Sequence, residues 1–143
     1  IFIFLFFPVQ SSVAEIDAPE QVGNLEVRIG GIKKMKGTVE VAIYNSRRKW
    51  LKSGGAYFVK RIEVDDKDVV VKFENLPYGN YAICSYHDVN NNKDFDRNFL
   101  GIPKEPYAMT RKAKSKLRKP RFKEMAFTID KPNYSIETFF KKF

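Results

Sequence analysis

Alternation of apolar and polar residues, with no sustained helical period, is what most restricts the folds open to this chain. Leu25-Glu26-Val27-Arg28-Ile29 and Thr38-Val39-Glu40-Val41-Ala42-Ile43-Tyr44 put apolar residues at alternate positions, which on a pleated backbone gathers them on one face. Five more runs read as strands: Tyr57 to Val64, Val69 to Glu74, Gly79 to Tyr86, Glu124 to Ile129 and Tyr134 to Phe140. Ser46 to Lys52 has room for a short turn of helix that tucks Trp50 and Leu51 onto the core. Seven short strands punctuated by Gly, Pro and Asn predict an all-β, seven-stranded antiparallel Greek-key sandwich over residues 24–140. One long loop, His87 to Lys123, separates the fifth and sixth strands. A connection of that length in a compact domain is the place to look for function.

Such a sandwich has to hold together by packing alone. Cys84 is the only cysteine among 143 residues, so no intramolecular disulfide is available, and in its apolar run it reads as a small buried hydrophobe. With 43% apolar and 15% aromatic residues the chain has material for a full core and not the composition of a disordered one. No apolar run is long enough for a spanning helix.

At the start of the chain, Ile1-Phe2-Ile3-Phe4-Leu5-Phe6-Phe7 is an apolar block followed by Pro8, and Ser12-Val13-Ala14 supplies small residues where a signal peptidase cuts. Residues 1–14 are therefore expected to be a signal-peptide remnant without its n-region, removed on export to the periplasm or beyond.

The formal charge is +9, from 26 basic and 17 acidic residues, and it is concentrated. Arg111, Lys112, Lys114, Lys116, Arg118, Lys119, Arg121 and Lys123 lie in one tract with no acid between Thr110 and Lys123, leaving 18 basic against 17 acidic residues elsewhere. Such a tract is a solvated loop or a contact for an anionic envelope partner, lipid head groups or acidic polysaccharide. Nucleic acid is not expected, because Leu117 and Phe122 are the tract's only large apolar residues and make no series of aromatics among the cations on which bases would stack.

The other singular stretch directly follows a strand. His87-Asp88-Val89-Asn90-Asn91-Asn92-Lys93-Asp94-Phe95-Asp96 places side-chain oxygens at alternate positions: Asp88, Asn90, Asn92, Asp94 and Asp96. In a tightly turning loop such oxygens converge on a hard cation, Ca2+ by preference, with a backbone carbonyl or Glu105 completing the set. The spacing overlaps the start of the helix-loop-helix calcium loop, but Lys93 stands where that loop needs Gly and Phe99 where it needs a bidentate Glu. Asn and Asp also favour turns by bonding to nearby backbone, so an ion-free polar turn is the competing reading. His87 is the single histidine, which excludes multi-histidine zinc sites. A hydrolase or lyase would pair His87 with Asp88 or Glu105 around a metal. No nucleophile elbow, phosphate loop or dinucleotide fingerprint accompanies them. Tyr78, Tyr86 and Tyr107 offer flat aromatic surface for sugar or peptide, or pack in the core.

Taken in order, Phe73-Glu74-Asn75-Leu76-Pro77-Tyr78-Gly79-Asn80-Tyr81-Ala82, then His87 to Asn92 leading to Asp96, then Leu100-Gly101-Ile102-Pro103-Lys104-Glu105-Pro106-Tyr107, the chain resembles the bacterial secreted family of unknown function DUF2141. The Leu-Pro-x-Gly-x-Tyr element is similar to the turn of transthyretin-like and collagen-adhesin B-type domains. The resemblance implies a prealbumin-like or immunoglobulin-like β-sandwich and brings no activity with it. The family's His-Asp-x-Asn-x-Asn pattern falls on His87, Asp88, Asn90 and Asn92, and its following Asp on Asp96. At Lys93 the family tends to carry Gly. After Tyr107, Ala108-Met109-Thr110 stands in place of a Gly-Phe-Ser-like stretch and the basic tract in place of a more neutral loop. The expectation is thus an exported, non-enzymatic binding module with a Ca2+-organised loop at one end of the sandwich.

Overall fold

A computed structural model describes residues 20–115 and 117–141. The expected signal-peptide remnant, 1–14, and Lys116 of the basic tract lie outside the described residues. The fold is all-β, with eight strands among the described residues: β1 (Val22–Gly30), β2 (Thr38–Tyr44), β3 (Phe58–Glu63), β4 (Val69–Pro77), β5 (Gly79–Asp88), β6 (Tyr107–Met109), β7 (Phe127–Ile129) and β8 (Asn133–Phe139), with one helical turn, α1 (Phe122–Met125).

Two sheets carry these strands. The first has the order β4-β1-β8 and the second β3-β2-β5-β6, with β7 also pairing β5. The alternation in β1 and β4 sends Leu25, Val27 and Ile29, and Val69, Val71 and Phe73, to the inner face. Val39, Val41 and Ile43 from β2, with Tyr81 and Ile83 from β5, join them in one apolar cluster between the sheets. The chain crosses from the first sheet to the second at Tyr78, between β4 and β5.

Several expectations are corrected. There are eight strands where seven were expected, because Tyr107–Met109, a run too short to show a period, pairs with Tyr86 to Cys84. The long loop is thereby divided at β6 into residues 89–106 and 110–126. The sandwich is not wholly antiparallel, since β8 lies parallel to β1 in register Asn24↔Asn133 through Gly30↔Phe139. Direction there is set by the turn that takes the chain from β7 in one sheet to β8 in the other, a non-local matter no strand pattern encodes. The strand expected over Glu124 to Ile129 begins only at Phe127, because Phe122–Met125 closes into α1, with Glu124 accepting the N–H of Arg121 at 2.7 Å.

Ser46 to Lys52 is not a helix either. It winds through successive turns, Lys49 N–H to Ser46 O, Lys52 N–H to Lys49 O and Gly55 N–H to Lys52 O, with Leu51 at φ +55°. Trp50, expected with Leu51 on the core, instead sits edge-on against Tyr44 and Phe122, at 5.0 and 6.1 Å between ring centroids, and donates to Pro120 O at 2.8 Å. This second cluster covers the outer face of β2 and β5.

Candidate functional site

Successive side chains of a strand point to opposite faces, and the end of β5 uses that rule to separate two residues adjacent in sequence. His87 falls in step with the core residues Tyr81 and Ile83 and is only 1% exposed. Its Nε2 lies 2.7 Å from Lys36 O, and a carbonyl only accepts, so that nitrogen carries the proton. Its backbone N–H donates to Pro106 O at 2.9 Å. Asp88 turns the other way. Its Oδ1 accepts the N–H of Asn92 at 3.2 Å and its Oδ2 that of Lys93 at 2.8 Å, while Arg61 Nη1 stands 3.5 Å from Oδ2.

This carboxylate clamps the start of the 89–106 loop. Below it, Gly37 takes φ +78°, and a Cβ there would lie 2.1 Å from Asp88 O, so only glycine lets the 31–37 connection come this close. Lys93 sits at φ +65° and Asn91 at φ +54°. The residue that replaces the calcium-loop Gly therefore adopts a left-handed, Gly-like backbone, with its N–H held by Asp88.

Beyond the clamp the loop's polar side chains meet. Asp96 accepts from Asn90 Nδ2 at 2.9 Å and from Asn92 Nδ2 at 2.9 Å to each oxygen. The Asn oxygens face backbone: Asn90 Oδ1 accepts from Asn92 N–H at 3.2 Å, and Asn92 Oδ1 from Asp94 N–H at 3.0 Å. Glu105, buried, ties the returning limb to this group by accepting Val89 N–H at 3.3 Å and Asp96 N–H at 3.2 Å. The bonds from Asn92 and then Asn90 pull the Asp96 carboxyl below its ordinary pKa. Burial first, and the charges of Asp96 and Asp88 besides, push Glu105 above its own, against the lowering effect of its two backbone bonds.

Of the five expected cation ligands, then, Asn90, Asn92 and Asp96 converge. Asp88 serves the backbone, and Asp94 is exposed and lies off the cavity the others line. No group of three or more His, Cys, Asp or Glu fit to hold a metal occurs among the described residues; the cluster depends on its two amides. That cavity, about 610 Å³, is lined by His87, Asn90, Asn92, Asp96 and Glu105, and by Lys33, Lys34, Arg97, Lys104, Lys141 and Phe140. Of the residues named for acid-base chemistry it gathers His87 and Glu105 but not Asp88.

Around the site, Tyr86 is buried against Glu40, at 3.3 Å from its hydroxyl, and burial pushes its pKa up to about 12. Tyr78 packs beside the core, and Tyr107 is half-buried in β6, with Phe95 edge-on to it. Cys84 is half-buried, its thiol raised to about 12 by burial.

Two cations of the basic tract are engaged by the fold. Arg118 is bound to both oxygens of Glu124 at 2.9 and 2.6 Å, and Arg111 donates to Ala126 O at 3.0 Å, while Lys112, Lys114, Lys119, Arg121 and Lys123 are exposed.

Arg61 escaped sequence reasoning. It lies on β3 among exposed residues, where a cation carries no signal. Yet it joins Glu40, Asp88, the Tyr86 hydroxyl and Lys93 O. Only the pairing of β3 with β2, and of β2 with β5, carries it there.

Among known proteins, one family model, described as an uncharacterized protein conserved in bacteria (DUF2141), matches residues 27–137. No curated protein and no solved structure matches the chain.

Proposed function

We propose that this chain, which belongs to the DUF2141 family of uncharacterized bacterial proteins, is an exported, non-enzymatic binding module whose polar loop is organised by Ca2+ on Asn90, Asn92 and Asp96. The observation that carries the reading is the convergence of the two amides on the Asp96 carboxylate, at 2.9 Å, above a backbone already clamped by Asp88. A cation entering there takes the place of the amide hydrogens, with each amide turned to present its oxygen, and backbone carbonyls and water fill the remaining positions. One facing carboxylate gives weak affinity, suited to the millimolar calcium outside cells. Export rests on the apolar Ile1–Phe7 block and the Ser12-Val13-Ala14 stretch.

Against a hydrolase or lyase stand the separation of Asp88 from the cavity and the commitment of His87 Nε2 to Lys36 O. The five cations lining the cavity, against the two acids Asp96 and Glu105, favour an anionic partner at this end of the fold over the 110–123 tract.

The test is thermal unfolding of the chain from Glu15 in calcium and in chelator, for the parent and for Asp96→Asn. With calcium at about ten times its Kd, mass action adds about 1.4 kcal/mol, or roughly 4–6 °C for a domain of this size. A rise in the parent that Asp96→Asn abolishes supports the reading; calcium-indifferent melting of the parent removes the ion from it.

A further inference from the structure

The segment that closes the 89–106 loop ends in a feature the ion reading leaves unused. Phe99 is 96% exposed, Leu100 68% and Ile102 50%. Three large apolar side chains within four residues stand in solvent on a loop; the other such group, Tyr57, Phe58 and Val59, lies at the start of β3 and each of its members is less exposed.

The turn bearing them is not loose. Asn98 Oδ1 accepts the N–H of Leu100 at 2.9 Å and of Ile102 at 3.0 Å, Gly101 N–H donates to Asn98 O, and Asn98 N–H to Ile102 O, both at 2.9 Å. Gly101, at φ +76°, closes the turn. Below it, Arg97 bridges to Pro103 and Lys104 N–H donates to Asp96 O at 2.8 Å. The backbone is fixed, so the apolar tip is held out and loses little freedom on meeting a partner.

We propose that this turn is a membrane-contact element: Phe99, Leu100 and Ile102 enter the interfacial layer of an anionic bilayer while the cations at its foot face lipid phosphates. The charge pattern selects that occupant. Arg97 and Lys104 stand at the two feet of the turn, and Lys33, Lys34 and Lys141 line the cavity beside them, against Asp96 and Glu105 alone. An exposed apolar tip with cations at its feet matches a surface that is soft and oily beneath an anionic layer. This goes beyond the calcium reading and does not depend on it, because neither the apolar tip nor its cations are ligands of the ion.

The test uses a site-specific reporter. On a Cys84→Ala background, which removes the half-buried native thiol, Phe99→Cys gives one reactive thiol for an environment-sensitive fluorophore. Asp130→Cys, in the exposed turn after β7 at the opposite end of β5, is the control. The full chain is mixed, in chelator, with vesicles of phosphatidylethanolamine and phosphatidylglycerol or of phosphatidylcholine alone.

Insertion raises fluorescence at position 99 and not at 130, on the anionic vesicles. Adding Leu100→Ser and Ile102→Ser weakens the apparent partitioning of that signal about tenfold or more, and salt at about 1 M weakens it too. Equal responses at 99 and 130, no response at 99, or a response indifferent to the serine changes would each overturn the proposal. So would self-association without vesicles that the serine changes abolish, since the tip would then be a contact between copies of this chain.

Discussion

Asp88 clamps the polar loop from below, and its removal gives a sharp measure of how that loop is held. In Asp88→Ala the Lys93 N–H loses its acceptor at 2.8 Å, while the Asn92 N–H loses one of two at 3.2 Å and keeps Asn90 Oδ1. Hydrogen bonds to a charged group contribute about 1.5–3 kcal/mol each. Both donors belong to exposed residues, so water takes over and the lower end applies to Lys93 and about half of it to the shared Asn92 bond, about 2 kcal/mol for the two. The Arg61 pair adds about 1 kcal/mol at most, because Arg61 is a third exposed and keeps Glu40 as a partner. At roughly 3–5 °C per kcal/mol the total of about 2–3 kcal/mol lowers the melting temperature by about 6–15 °C. Asp88→Asn keeps one acceptor and turns an N–H toward the other donor, so it recovers no more than about half of this loss. Urea titration gives the free energy, and amide hydrogen exchange gives its location: protection at Lys93 collapses and that at Asn92 is reduced, while that of β2 falls only with global stability. A loss below about 1 kcal/mol, or unchanged exchange at those two amides, would refute the clamp.

Three further outcomes follow from the same geometry. Lys93→Gly relieves a left-handed backbone at φ +65° and removes a cation, so urea titration should find the loop intact and the protein up to about 1 kcal/mol more stable, with Lys93→Val shifting the other way. Gly37→Ala places a Cβ 2.1 Å from Asp88 O; backbone cannot yield as a side-chain tip does, so a loss of about 3 kcal/mol or more is expected, and a near-normal urea midpoint would contradict it. Glu124 is lowered from 4.5 to about 2 by the Arg118 bond first and the Arg121 N–H second. Its folded pKa lies below the unfolded one, so its contribution is full above pH 4.5 and is lost as pH falls toward 2. Carboxyl NMR should show the low midpoint, and Arg118→Gln should raise it; a midpoint near 4.5 in the parent would remove the pair from the account.

Strand pattern was legible because it is local. Thr38 to Tyr44 is β2 as its alternation indicates, and the runs from Leu25, Val69 and Gly79 lie within β1, β4 and β5. The lone Cys84, expected as a small buried residue of an apolar run, is half-buried. The loop after His87 also announced itself, because Asp and Asn at alternate positions make their own bonds to nearby backbone, and those bonds form here. Other features lacked any local signal. The three residues of Tyr107–Met109 are too few to show a period, and β6 exists only because β5 offers an edge.

The sequence by itself determined the all-β character, the apolar faces of the main strands, the self-sufficient core and the position of the polar loop, since period, turn chemistry and cysteine count act within a few residues. Tertiary structure alone decided the parallel pairing of β8 with β1, the approach of Gly37 to Asp88, the arrival of Arg61 from two strands away and the division of His87 from Asp88 between opposite faces. Each of these joins residues far apart in sequence or depends on which way the end of a strand faces. Such contacts form only when the whole apolar cluster closes and fixes strand register.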